Sequence, residues 1–176
     1  ETTLFAWMVD DPADYALARE HSIDVGVSQQ SALDDIAALP SGPRVSVHLK
    51  IDTGLHRNGA NPEDWPALVD AARELESRGV ITVESVWTHI AEASDDEDSL
   101  SIDRFSRAVS IARERGLTVP LRHLAASAAG FEREDARFDL VRFGAFSFGI
   151  PPTHSASAAD MGLSPVMALS AMVLRI

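Results

Sequence analysis

The stretch VSVHLKIDTGLHRNG, Val45 to Gly59, decides the fold. A strand-like run rises to Lys50 and breaks at Thr53-Gly54 into a loop that carries His56, Arg57 and Gly59. Side chains two apart on a strand share a face. Val47, Leu49 and Ile51 therefore line one side, and His48, Lys50 and Asp52 the other. An apolar side of this kind packs against helices, while a polar side at a strand's end points into a site or to solvent. Lys50 is the chain's single lysine, and every other basic residue is arginine.

Outward from this strand, the pattern alternates. Thr3–Val9 reads as a strand, and Asp11-Pro12 opens a helix to His21, with proline suited to a first turn. Ile23–Val27 is a second strand. Ser28 is expected to cap a helix ending at Ala38, before Pro40-Ser41-Gly42-Pro43. After the Val45–Ile51 strand, Pro62–Arg78 carries Trp65, Leu68, Val69, Ala72 and Leu75 at helical spacing and stops at Gly79. Val80–His89 is a fourth strand. Asp95–Asp98 reads as an acidic loop before a helix over Leu100–Arg115. Leu121–Ala126 is a fifth strand, and Leu140–Phe148 a sixth.

Strands alternating with helices build parallel βαβ units. Polar residues gathered at strand ends favour a (β/α)₈ barrel over an open sheet. The expected architecture is a partial barrel over residues 1–152, a small polar linker over 153–162, and an extended apolar segment over 163–176 that begins a further β-rich domain. The chain starts without methionine and directly in a strand, so it is expected to be cut from something longer.

Composition narrows the function. A net charge of −12 disfavours nucleic-acid and anionic-membrane partners, because phosphates repel such a surface. The chain has no cysteine, which removes disulfides and thiolate metal sites and fits a reducing cytoplasm. No apolar run reaches the length of a membrane span.

Each strand end has a plain reading as well as a chemical one. Lys50 alone reads as a side chain snorkelling to solvent. His89, in Trp87-Thr88-His89, reads as a hydrogen-bonded core histidine. The small residues from Ala125 to Gly130 make a tight turn, or let backbone N–H groups close on an anion. Arg142, set between Val141 and Phe143, needs partners if buried. Their occurrence at successive strand ends favours a site.

Four stretches in order, HLKIDTGLHRNG, WTHIAEASD, HLAASAAGF and FDLVRFGAFSFGIPP, resemble alanine racemase. This resemblance implies a (β/α)₈ barrel followed by a β-rich domain, corresponding here to about barrel strands 3 to 8. It also implies interconversion of L- and D-alanine with pyridoxal 5′-phosphate, to supply D-alanine for peptidoglycan, and a homodimer whose subunits complete each other's sites. By the same resemblance, Arg57 hydrogen-bonds the cofactor's phenolic oxygen, and Lys50 corresponds to a carbamylated lysine that holds Arg57. His89 lies against the cofactor ring. Ser127 and the N–H groups of Gly144 and Ala145 bind the phosphate. Arg142 faces the pyridine nitrogen, with His123 behind it. Ala126, Phe148 and Asn58 depart from the residues usual in the family.

The two catalytic bases of that family, a Schiff-base lysine and a tyrosine, have no counterpart in this chain. Lys50 sits in the wrong motif, and Tyr15 at a helix start reads as a packing or surface residue. Three other readings stay open. One is a different barrel-type pyridoxal-phosphate racemase or decarboxylase. Another is a non-catalytic pyridoxal-phosphate carrier. The third is a metal-dependent barrel hydrolase using His48, His89, His123 and a carbamylated Lys50, which Arg57 and Arg142 disfavour by charge.

Overall fold

The computed structural model describes residues 2–152, 156–173 and 175. Its elements follow in order: β1 (Leu4–Ala6), α1 (Pro12–Glu20), β2 (Ile23–Val27), α2 (Gln30–Ala37), β3 (Val45–Lys50), α3 (Trp65–Ser77), β4 (Ile81–Trp87), α4 (Asp95–Glu114), β5 (Leu121–His123) and α5 (Ser127–Glu132). Single 3₁₀ turns cover Glu134–Ala136 and Ala145–Phe148.

The five strands form one sheet in the order β1-β2-β3-β4-β5, and every ladder is parallel. A doubly wound sheet reverses its strand order at a switch point, whereas a barrel wall adds each strand beside the last. This order never reverses, so the sheet is an arc of barrel wall. Val25, Val27, Val47, Leu49 and Ile51 are buried in one apolar cluster with Leu33, Leu68 and Val69 from the helices.

Sequence signals set most of the helix ends. Asp11 accepts a hydrogen bond from the Ala13 N–H at 2.9 Å and caps α1, whose Pro12 lacks a donor that would otherwise be orphaned. The predicted apolar set of α3 is buried, and Trp65 Nε1 donates to the Ala108 carbonyl of α4 at 2.9 Å. Tyr15 is a packing residue whose hydroxyl donates to the Val9 carbonyl. Among the described residues, no helix is long and apolar enough to cross a membrane.

Four expectations are corrected. Asp95–Asp98 is not a loop but the first turn of α4, because Ser94 Oγ accepts from the Glu97 N–H and the carboxylates suit the positive end of the helix dipole. Ser28 does not cap α2; Gln29 precedes that helix without a side-chain cap, and Ser28 Oγ accepts from Asn58. The sixth strand shrinks to one bridge between Leu140 and His123. Beyond it the chain coils into the 3₁₀ turn, since the Gly144 and Ala145 N–H groups bond Ser127 rather than a ladder. Finally, no strand forms over the described residues of 163–176, where Met167, Leu169, Met172 and Val173 lie exposed. Within the expected linker, Thr153–Ser155 fall outside the described residues, and Ser157 and Asp160 form a local turn.

Candidate active site

The concave face of the arc carries Phe5 and Trp7 from β1 and its exit, Asp24 and Gly26 from β2, His48 and Lys50 from β3, Ser85 and Trp87 from β4, and His123 from β5. A bulge makes this possible. Val47 pairs with Val83, but the next pair is His48 with Ser85, so Glu84 is an extra residue on β4. Without it, strict alternation from the buried Val83 would turn Trp87 toward the helices. Gly26 supplies the space: a Cβ there would stand 3.0 Å from Trp7 Cβ and 3.4 Å from the Trp87 ring.

Lys50 sits at the centre, only 2 % exposed. Its Nζ lies 4.6 Å from the Trp7 ring centre and 4.7 Å from that of Trp87, and among described side chains it alone is buried without a hydrogen-bond partner. Burial, aided by the charges of Arg57 and Arg142, lowers its amine from 10.5 to about 8. The indole faces offset part of this cost through cation–π attraction. Arg57, exposed at the loop, rests 5.1 Å from the Trp7 ring centre. Arg142 rests 4.9 Å over Trp87. Three cations thus share two indoles.

The Arg57 loop is held by Asp52, whose side chain does not enter the site as alternation suggested. Asp52 accepts from the N–H groups of Gly54 and His56 and pairs with the His56 ring at 2.9 Å. Burial alone would raise its carboxyl, but these bonds win and lower it. Ala60 and residues 50 and 52 then exchange two backbone bonds of 2.9 Å. Gly59 allows that close return, since a Cβ there would lie 2.6 Å from the Asp52 nitrogen.

Arg142, half-buried, has partners for three of its five N–H groups. It donates to His123 Nδ1 at 2.7 Å and to the carbonyls of Thr88 and Leu124 at 2.8 and 3.1 Å. Burial and then Arg57 lower it to about 10, so it stays charged at neutral pH. His123, pushed down to about 2 by burial and Arg142, is neutral. His89 packs edge-on against Trp7, and burial with Arg142 and Arg57 lowers it to about 4. Ser127 is buried, and its Oγ accepts from both Gly144 and Ala145 N–H at 3.0 and 3.1 Å. Strand ends and the Gly144 segment therefore deliver cationic donors at one side and a hydroxyl with two backbone donors at another.

The structure brings Lys50, Arg57, His89, His123 and Arg142 around the two indoles, and Ser127 onto Gly144 and Ala145. Sequence reading missed the indoles as a scaffold and missed Asp24, which bonds His48 Nε2 at 3.1 Å. The available signal for Asp24 was an acid inside an otherwise apolar strand, Ile23–Val27. The metal-ligand set does not assemble. His48 and His123 bond each other at 3.0 Å, and no three His, Cys, Asp or Glu among the described residues are placed to hold an ion.

Comparison with known proteins matches this arrangement to one family. Over 99 % of its length the chain is 34 % identical to alanine racemase of Thermobifida fusca, covering 47 % of that protein. It is 40 % identical to alanine racemase of Frankia casuarinae over 95 % of its length and 45 % of that protein. The solved alanine racemase from D-cycloserine-producing Streptomyces lavendulae superposes with a TM-score of 0.86 at 34 % identity, covering 94 % of this chain and 45 % of that one. The chain spans about half the length of the curated relatives it matches. The alanine racemase N-terminal domain matches residues 1–152, and on that match over most of its length the chain belongs to the alanine racemase family.

Proposed function

We propose that this chain is the cofactor-holding part of an alanine racemase that interconverts L- and D-alanine with pyridoxal 5′-phosphate. The observation that carries this reading is the pairing of a half-buried Arg142, oriented by three hydrogen bonds, with a Ser127 hydroxyl on which the Gly144 and Ala145 N–H groups converge. One arm suits a heterocyclic nitrogen, and the other suits a phosphate. The cofactor, when bound, supplies an electron sink that acidifies the Cα–H of the amino acid.

The chain's residues then have distinct tasks. Ser127, Gly144 and Ala145 would hold the phosphate. Arg142 only donates, so a ring nitrogen placed against it would stay unprotonated and the sink would stay moderate, which suits a proton exchange with few side reactions. His89, neutral at working pH, would lie against the ring. Arg57 would donate to the phenolic oxygen. Lys50 positions Arg57: at a pKa of about 8 a minor fraction of its amine, far larger than for a free lysine, is neutral near physiological pH and can add carbon dioxide, releasing a proton. The resulting carbamate is an anion that gives the orphaned nitrogen's site acceptors for the guanidinium.

In this reading residues 153–162 link the barrel to a second domain begun by 163–176, which with a partner subunit completes the site. The catalytic lysine and tyrosine lie outside this chain. The product serves peptidoglycan synthesis in the cytoplasm. The test is racemisation of L-alanine by the complete protein and by the isolated chain, each with pyridoxal phosphate. We expect activity from the former only. Inactivity of the complete protein overturns the function, and activity of the isolated chain overturns the division of labour.

A further inference from the structure

Behind Arg142 runs a chain of hydrogen bonds that the proposed reaction does not by itself require. Arg142 Nη1 meets His123 Nδ1 at 2.7 Å, His123 Nε2 meets His48 Nδ1 at 3.0 Å, and His48 Nε2 meets Asp24 Oδ2 at 3.1 Å. Its proton positions follow from donor and acceptor inventories. A guanidinium only donates, so His123 Nδ1 carries no proton. A neutral His123 then carries its proton on Nε2 and aims it at His48 Nδ1, with Ser85 Oγ at 3.1 Å as a second acceptor. His48 Nδ1 must be bare to receive it, so the His48 proton is on Nε2 and points at the Asp24 carboxylate. A protonated His48 would set two N–H groups against each other. Every bond therefore runs one way, from the guanidinium to the carboxylate.

Both rings are held by aromatic stacking. His48 stacks on Phe5 with centroids 4.3 Å apart and planes within 17°, and His123 stacks on Trp87 at 5.2 Å and 16°. Among the described residues Glu84 also acts on His48, and it accepts from Ser46 at 3.4 Å. Burial lowers both imidazoles, in keeping with two neutral rings.

We propose that Asp24 is a positioning residue: through His48 and His123 it fixes a single tautomer along the chain and so sets the orientation of Arg142. Three Arg142 N–H groups are taken by His123, Thr88 and Leu124, which leaves Nε–H and one Nη1–H for the site. What those remaining donors touch rests on the cofactor reading above, but the tautomer order does not.

The experiment uses the complete protein labelled with ¹⁵N-histidine, with ring tautomers read from two-bond ¹⁵N–¹H correlations between pH 6 and 9. His48 and His123 are expected in the neutral Nε2–H form throughout. Either ring found as Nδ1–H or as a cation at pH 7 overturns the proposal. Asp24→Ala removes the acceptor and is expected to let His48 populate Nδ1–H, while kcat falls about fivefold, as for one buried hydrogen bond, and KM stays within about twofold. Asp24→Asn, with a carbonyl in the same place, is expected to restore the wild-type tautomer. An unchanged His48 signal in Asp24→Ala overturns the proposal. If that variant fails to fold, the wild-type spectrum still decides. Correct tautomers in a protein that takes up no pyridoxal phosphate would reject the cofactor reading and leave this one standing.

Discussion

On the helix-facing side of β3, Val47, Leu49 and Ile51 are buried and ask for nothing but neighbours. On the concave side, His48 and Lys50 are buried as deeply, yet each needs a partner for every polar atom. His48 finds two, and Lys50 finds none beyond indole faces. Burial alone therefore does not separate scaffold from site. What separates them is whether burial gains free energy, as for apolar area, or costs it, as for an amine. One six-residue strand does both, because its side chains alternate.

Substitutions on the two sides should have opposite signs. Leu49→Ala leaves a cavity in the helix-facing layer and is expected to destabilise by about 2–5 kcal/mol. Urea unfolding followed by tryptophan fluorescence measures it, and a loss under about 1 kcal/mol would break the contrast. Lys50→Met replaces the orphaned amine with an apolar chain of similar length. It is expected to stabilise the protein by about 1–2 kcal/mol at neutral pH, the desolvation cost relieved, while weakening cofactor retention.

The same lysine gives a pH signature. Its folded pKa, about 8, lies below the unfolded 10.5, so the unfolded chain binds more protons between those values. Stability is therefore expected to rise as pH climbs from about 8 to 10.5, and this slope should vanish in Lys50→Met. A slope of equal size in both proteins would assign the effect elsewhere, and a carbamylated Lys50 would remove it from wild type. The smallest effect belongs to neither face. Ser94→Ala strips the α4 cap and should cost about 1 kcal/mol with cofactor binding unchanged.

The sequence showed this alternation clearly at Val45–Lys50, where apolar and polar residues interleave without exception. It also showed α3, whose apolar spacing has one solution. It concealed what depends on a neighbour. Glu84 looks like any strand residue, and only pairing with β3 makes it a bulge that turns Trp87 inward. Leu140–Phe148 has strand composition, but its N–H groups go to a serine from another segment. The run Asp95–Asp98 was readable as a helix start through Ser94 and Glu97; its charge drew the reading toward a loop. Within the site, single residues at strand ends were legible by type. The chain from Asp24 to Arg142 was not, since its members come from four separate places along the sequence and meet only across the sheet.

The strand order carries a consequence for biosynthesis. Each strand pairs with the one made just before it, from β1 through β5. Every ladder thus closes a loop of a single βα unit, and loop-closure entropy stays small at each step. The wall can grow strand by strand as the ribosome delivers it, with each helix covering the strand it follows. Lys50 and His48 would then meet Trp7 and Asp24 before Trp87 and Arg142 have been translated, so half of the charge-bearing face is laid down ahead of the residues that complete it.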